Sequence, residues 1–129
     1  NIRDWLFVED HVNALLLVAS NAKIGSCYCI GGSQELTNNK IVFKICELLD
    51  NIKPWNKPYK ELISYVNDRP GHDLRYAINA EKIKKDLGWL PETNFNDGLE
   101  RTVKWYLNNL EWCEKIKLKS GYHGQRLGG

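Results

Sequence analysis

The sequence predicts an α/β fold with few short strands, partly parallel, and about four helices. Two observations carry that expectation. Short runs rich in branched and aromatic side chains alternate with longer stretches in which apolar residues recur every three or four positions, and Gly, Pro and Asn punctuate the junctions. Strands that alternate with helices imply βαβ connections, hence some parallel pairing with right-handed crossovers. The strands are too few and too short for a complete doubly wound sheet, so the pattern is that of the latter part of an α/β protein. The chain contains no methionine and opens in the approach to a strand, which reads as a fragment of a longer protein.

Taken in order, Trp5-Leu6-Phe7-Val8 is the first strand expected, followed by Asp10 as the N-cap of a helix. Val12, Leu15, Leu16 and Ala19 form its apolar stripe, widened by Leu17 and Val18. Ser26–Ile30 reads as a second strand closed by Gly31-Gly32. Thr37 or Asn38 then caps a helix whose face is Ile41, Val42, Ile45, Leu48 and Leu49. Two prolines and a tryptophan make 51–58 a loop, and Leu62–Val66 is a third strand. Arg75–Ile78 is extended or a short strand. Asn79 caps a helix bearing Ile83 and Leu87, with Gly88 as its stop. A last helix begins at Asn96 or Asp97 and turns Leu99, Val103, Tyr106 and Leu107 to one side. Residues 1–114 thus form the folded portion, and 115–129, with four basic residues and no acidic ones, a mobile basic tail.

At 129 residues, with 43% hydrophobic and 26% charged side chains, the composition is that of a globular domain. Eighteen basic against sixteen acidic residues leave a net charge of +2, so no strong field draws the chain to nucleic acid or to a membrane surface. The longest apolar run, Ala14 to Ala19, is far short of the ~20 residues of a membrane span. Cys27, Cys29, Cys46 and Cys113 are too irregularly spaced for a disulfide framework, which points to a reducing, cytoplasmic setting. Cys27 and Cys29 share one side of a strand but lack a second ligand pair for a metal.

The densest chemistry lies in NDRPGHDLRY, residues 67–76. Pro70 sets one turn dihedral and Gly71 permits the positive φ of a type II turn, so the flanking side chains are held in fixed directions. A loop that follows a strand's carboxyl end is where open α/β sheets bind ligands. A guanidinium such as that of Arg69 matches phosphate oxygens two at a time, and His72 can donate to phosphate or to a sugar hydroxyl. The same residues suit a surface loop in which Asp68 and Asp73 neutralise the arginines, and local chemistry leaves both readings open.

Other candidates have plainer accounts. Arg3 beside Asp4 suits a solvated strand end, and Asn38 a helix cap. Gly31-Gly32-Ser33 resembles a phosphate-cradling loop without its spacing. Glu9-Asp10-His11 has the look of a relay but no nucleophile in register. Trp89, Trp105, Tyr106 and Trp112 are assigned to core packing.

The stretches IRDWLFVEDHVNAL, CYCIGG, DRPGHDLRYAINAEKIKKDLGW and TVKWYL, in that order, resemble the C-terminal, substrate-binding portion of the dTDP-glucose 4,6-dehydratase family. That family lies within the extended short-chain dehydrogenase/reductase superfamily, and the closing GYHGQRLGG also resembles its endings. The resemblance implies an NAD-dependent lyase that oxidises C4 of a nucleotide-linked glucose, removes water across C5 and C6, and returns the hydride to C6. It implies Arg3 as a nucleotide-phosphate contact, Asn38 as a substrate contact, and Asp68, Arg69, Pro70, Gly71 and His72 as the substrate-nucleotide loop.

The family's YNIGG is replaced here by Tyr28-Cys29-Ile30-Gly31-Gly32. Its glycine-rich NAD loop, Tyr-x-x-x-Lys pair and acid/base carboxylates have no counterpart in the chain, so no catalytic or cofactor-binding residue is expected here and the chain alone is expected to be inactive. Residues 1–20 would belong to the edge of a missing Rossmann domain, and its apolar surface would drive homodimerisation or other self-association. The rival expectations are a portion of another sugar-nucleotide dehydratase or epimerase, for example one acting on UDP-glucose, and a non-catalytic nucleotide-binding or assembly domain.

Overall fold

A computed structural model of the chain describes residues 1–68 and 70–121. The first strand, β1 (Ile2–Asp4), pairs antiparallel with β2 (Glu35–Thr37), Arg3 opposite Leu36. On its other edge Ile2 forms a parallel bridge with Arg75, its N–H donating to Leu74 O at 2.8 Å and its carbonyl accepting from Tyr76 N at 3.0 Å. β1 is therefore the middle of a small mixed sheet, and it draws residues 1–4, 35–38 and 72–76 together.

Around it lie α1 (Val8–Asn21), α2 (Asn38–Ile52), a 3-10 turn (Tyr59–Leu62), α3 (Glu81–Leu87), α4 (Phe95–Asn108) and α5 (Leu110–Ser120). The core is centred on Ala14 and Ile83, both fully buried, with Trp89. Leu6, Leu17, Val18, Tyr28, Ile30, Ala80 and Leu87 pack against it. Ile41 and Cys46 of α2 and Val103 of α4 are also buried. Among the described residues no helix is long and apolar enough to cross a membrane.

The helices follow the periodicity that predicts them. Thr37 Oγ1 accepts from Lys40 N at 3.2 Å, so threonine, not Asn38, caps α2. Asn79 Oδ1 accepts from Glu81 N at 2.9 Å at the start of α3, and Gly88 ends it at φ +70°. α4 starts slightly earlier than expected, because Asn94 is the residue that caps Asp97 N.

Several expectations are corrected. Trp5–Val8 is not a strand: the ladder lies three residues upstream, and the chain turns through Phe7 into α1. Asp10 is not the cap. It is buried, and its carboxylate accepts from Thr93 N at 3.0 Å and Thr93 Oγ1 at 3.3 Å, tying α1 to the approach of α4.

Ser26–Ile30 alternates in exposure as a strand would, but no described segment pairs with it. Leu62–Val66 is no strand either; Leu62 closes the 3-10 turn, and Tyr65 and Val66 face solvent. The tail expected from residue 115 begins instead as the second half of α5, so the described residues hold five α-helices rather than about four. Residues 122–129 lie outside the described part. Trp89 is buried as expected, whereas Trp105, Tyr106 and Trp112 form a half-exposed edge-to-face cluster with centroids 5.2 and 5.3 Å apart.

Candidate functional site

The two residues after Asp4 and the glycine pair explain each other. A Cβ on Gly32 would lie 2.1 Å from the Trp5 carbonyl oxygen, so only glycine lets the two backbones approach. Asp4 closes this junction: Oδ2 accepts from Gly32 N at 3.0 Å and Oδ1 from Gln34 N at 2.8 Å. The Gly32 amide, central to the stretch that resembles a phosphate cradle, is thus directed at a carboxylate of the chain itself. The junction holds β1 in place and aims the next side chain, Arg3.

Arg3 meets the corner. Its Nη1 donates to Ile2 O at 2.6 Å; its Nη2 donates to Asp73 O at 3.1 Å and lies 2.6 Å from His72 Nε2. A guanidinium can only donate, so Nε2 is the acceptor of that contact, and the other ring nitrogen, Nδ1, lies 2.7 Å from Asn1 Nδ2. Nδ1 also lies 2.7 Å from Asp68 Oδ1, and Asn1 Nδ2 donates to Asp68 Oδ2 at 3.2 Å. The result is a connected series, Arg3 to His72 to Asp68, with the His72 side chain only 19% exposed and Asp68 at the solvent edge.

Gly71 has φ +69° with open space where a Cβ would stand, so the turn needs glycine for its backbone alone. Asn38, the first residue of α2, donates its N–H to Asn1 O at 2.9 Å, which sets it beside the same cluster. The fold therefore brings together Arg3, Asn38, Asp68, Pro70, Gly71 and His72 of the expected set. Arg69 lies outside the described residues. The loop does not follow a strand end, as Leu62–Val66 is not one; the parallel bridge at Ile2 and Arg75 anchors it instead.

Sequence reasoning missed Asn1 and Tyr76, and offered Asp73 only as a neutralising charge of the loop, whereas its carbonyl accepts from Arg3. Tyr76 lies beneath Arg3, whose Cζ is 4.5 Å from the ring centroid, and its hydroxyl donates to the Asp73 carboxylate. An aromatic residue one position after a conspicuous arginine carried no signal of its own. Arg75 takes a structural part: Nε and Nη2 grip the Glu35 carboxylate at 2.5 and 2.7 Å, across to β2. The hydrogen bond from Arg75 holds the Glu35 carboxyl below its usual range, and Glu35 in turn raises the Arg75 pKa. Glu9, Asp10 and His11 form no relay, since Glu9 pairs with Arg101 at 2.6 Å and Asp10 with Thr93.

Apart from the cluster, a groove of about 890 Å³ runs between the β1–α1 connection and α4 and includes Trp5, Phe7, Phe95 and Trp105. The charged corner is an open ledge of fixed donors, able to hold an anion from one side.

Residues 1–102 match the family described as GDP-mannose 4,6 dehydratase, and the chain belongs to that family. Its curated relatives include dTDP-glucose 4,6-dehydratases. It is 54% identical over 116 residues to one from Escherichia coli, covering 90% of this chain and 32% of the relative. To one from Neisseria meningitidis it is 49% identical over 132 residues, covering 98% and 37%.

Two solved structures share the fold. The dTDP-glucose 4,6-dehydratase of Bacillus anthracis in complex with NAD superimposes with a TM-score of 0.75 at 46% identity, covering 87% of this chain and 33% of that one. DesIV, the dTDP-glucose 4,6-dehydratase of Streptomyces venezuelae with NAD and TYD bound, gives 0.77 at 38% identity with the same coverage. The chain spans about a third of the length of these relatives. The fold is accordingly the expected portion of an extended short-chain dehydrogenase/reductase, reduced here to five helices and a two-stranded ladder.

Proposed function

We propose that the chain is the part of a dTDP-glucose 4,6-dehydratase that grips the nucleotide diphosphate of its sugar substrate. The observation that carries this is the convergence of Arg3, Asn38 and the Asp68–His72 turn on one ledge, from segments about thirty-five residues apart. A guanidinium held by an imidazole and backbone oxygens offers its remaining N–H groups to phosphate in a fixed plane. Arg69, in the same turn, supplies the second cation. The relatives' names and their bound NAD and TYD support this ligand class.

NAD is held and used by the rest of the parent. The glycine pair in this chain is filled by the Asp4 carboxylate and pressed against Trp5, which fits no dinucleotide. With its cofactor the parent turns dTDP-glucose into the 4-keto-6-deoxy sugar nucleotide, and this chain alone is inactive. The remainder of the parent, or a second copy, covers the exposed stripe Val8, Val12, Leu15 and Leu16 of α1 and the unpaired Ser26–Ile30. The parent works as a homodimer. We place it in the cytoplasm, where the four unpaired thiols stay reduced.

The test is calorimetric titration of the chain with dTDP and with UDP, repeated on Arg69→Ala. The account expects heat on adding dTDP that is lost or strongly weakened in the variant. Equal heats for the two proteins would overturn the assignment of this turn.

A further inference from the structure

We propose that Tyr76 is a positioning residue for Arg3, the platform that fixes the plane in which the guanidinium meets a phosphate. The proposal rests on the reading of Arg3 as a phosphate contact and adds a residue that neither the resemblance nor the relatives assign. How a guanidinium N–H meets a phosphate oxygen depends on the orientation of the guanidinium plane, not only on the position of its charge. The hydrogen bonds to Ile2 O, His72 Nε2 and Asp73 O fix one edge of Arg3 and use three of its five N–H donors, leaving Nε–H and one Nη1–H, on opposite sides of the group, each as a single directed contact for a ligand. Bonds along one edge still let a flat group tilt about that edge. A surface against its face stops the tilt, and the Tyr76 ring, 4.5 Å away, is that surface.

The ring is itself held at both ends. Tyr76 N donates at 3.0 Å to Ile2 O, the oxygen that also receives Arg3 Nη1. At the far end its hydroxyl donates to the carboxylate of Asp73, whose carbonyl accepts from Arg3 Nη2. The neighbouring Arg75 is clamped to Glu35 of β2. Asp73, Tyr76 and Arg3 thus close a frame in which moving the ring means moving the loop. Tyr76 touches no phosphate; it acts through Arg3.

The experiment is nuclear magnetic resonance on the full chain with ¹⁵N-labelled arginine, read at the Arg3 Nε–H and titrated with dTDP. Tyr76→Leu should move the Arg3 Nε–H by removing the ring current, and should weaken dTDP by about two- to five-fold, the range of an exposed cation–π contact. Tyr76→Phe and Tyr76→Trp keep a ring and should keep the affinity, which also guards against a variant that merely misfolds. In the Arg3→Ala background, Tyr76→Leu should add nothing.

An unmoved Arg3 Nε–H in Tyr76→Leu overturns the proposal, as does an equal loss of affinity with and without Arg3. If Arg3→Ala weakens dTDP and Tyr76→Leu does not, the positioning role alone fails. If Arg3→Ala leaves dTDP binding unchanged, or the wild-type chain shows no dTDP shift, the phosphate reading of Arg3 fails and takes its positioning residue with it.

Discussion

Replacing Asp4 by alanine tests what aims the ledge. The carboxylate takes two backbone N–H groups, Gly32 at 3.0 Å and Gln34 at 2.8 Å, across the close approach that the glycine pair allows. Hydrogen bonds to a charged group contribute roughly 1.5–3 kcal/mol each, and a buried donor left alone costs about 1–3 kcal/mol. Gly32 is buried and its N–H would lose its partner with little access to water, while Gln34 is exposed and would be resolvated. Counting the first bond in full and the second, whose donor is resolvated, at about 0.5–1 kcal/mol puts Asp4→Ala at about 2–4 kcal/mol.

Asp4→Asn keeps one acceptor oxygen and should lose about half as much. Urea unfolding followed by tryptophan fluorescence reads this directly, since Trp5 borders the junction and Trp89 lies in the core. The midpoint of Asp4→Ala should fall by about 1–2 M at the slope usual for a chain of this size. A change of less than about 0.5 kcal/mol, the range of ordinary surface substitutions, would refute the view that this carboxylate pins β1.

Three further outcomes follow from other parts of the fold. Ile83→Ala, at a fully buried position against Ala14 and Trp89, should cost about 2–5 kcal/mol by the same urea assay. Asp10→Ala frees Thr93 N and Oγ1 from a buried acceptor, and hydrogen exchange at the Thr93 amide should rise more than at α3 amides. Burial raises the pKa of the Cys46 thiol, with Asp50 adding to the effect. The folded chain then keeps that proton where the unfolded chain loses it, so this contribution is complete below the ordinary thiol value of about 8.5 and falls as pH rises through the raised one. Urea midpoints between about pH 8 and about pH 10 should decline more steeply in the wild type than in Cys46→Val.

Helices α1 to α4 were legible because their signals are local, whereas α5 was read in part as a tail. Ile41, Ile45 and Leu49 recur on one face of α2, Asn79 and Gly88 bracket α3, and Val103 marks the inner side of α4. The strands were not, because pairing rather than pattern makes them. Glu35–Thr37 has only one apolar residue and exists through its ladder with β1, while Ser26–Ile30 has the alternation and no described partner. The chemistry of the turn could be read from Pro70, Gly71 and His72 in one short stretch. Arg3 came from the resemblance, and the completion of the site by Asn1 and Tyr76 could not be read, because contacts spanning about seventy residues leave no periodic trace.

The most direct measurement is a crystal structure of the chain with dTDP. The account predicts the diphosphate on the ledge between β1 and the Asp68–His72 turn, its oxygens within hydrogen-bonding distance of the Arg3 and Arg69 guanidinium groups. A nucleotide bound in the groove beside Trp5 and Trp105, with both arginines turned away from it, would contradict the account.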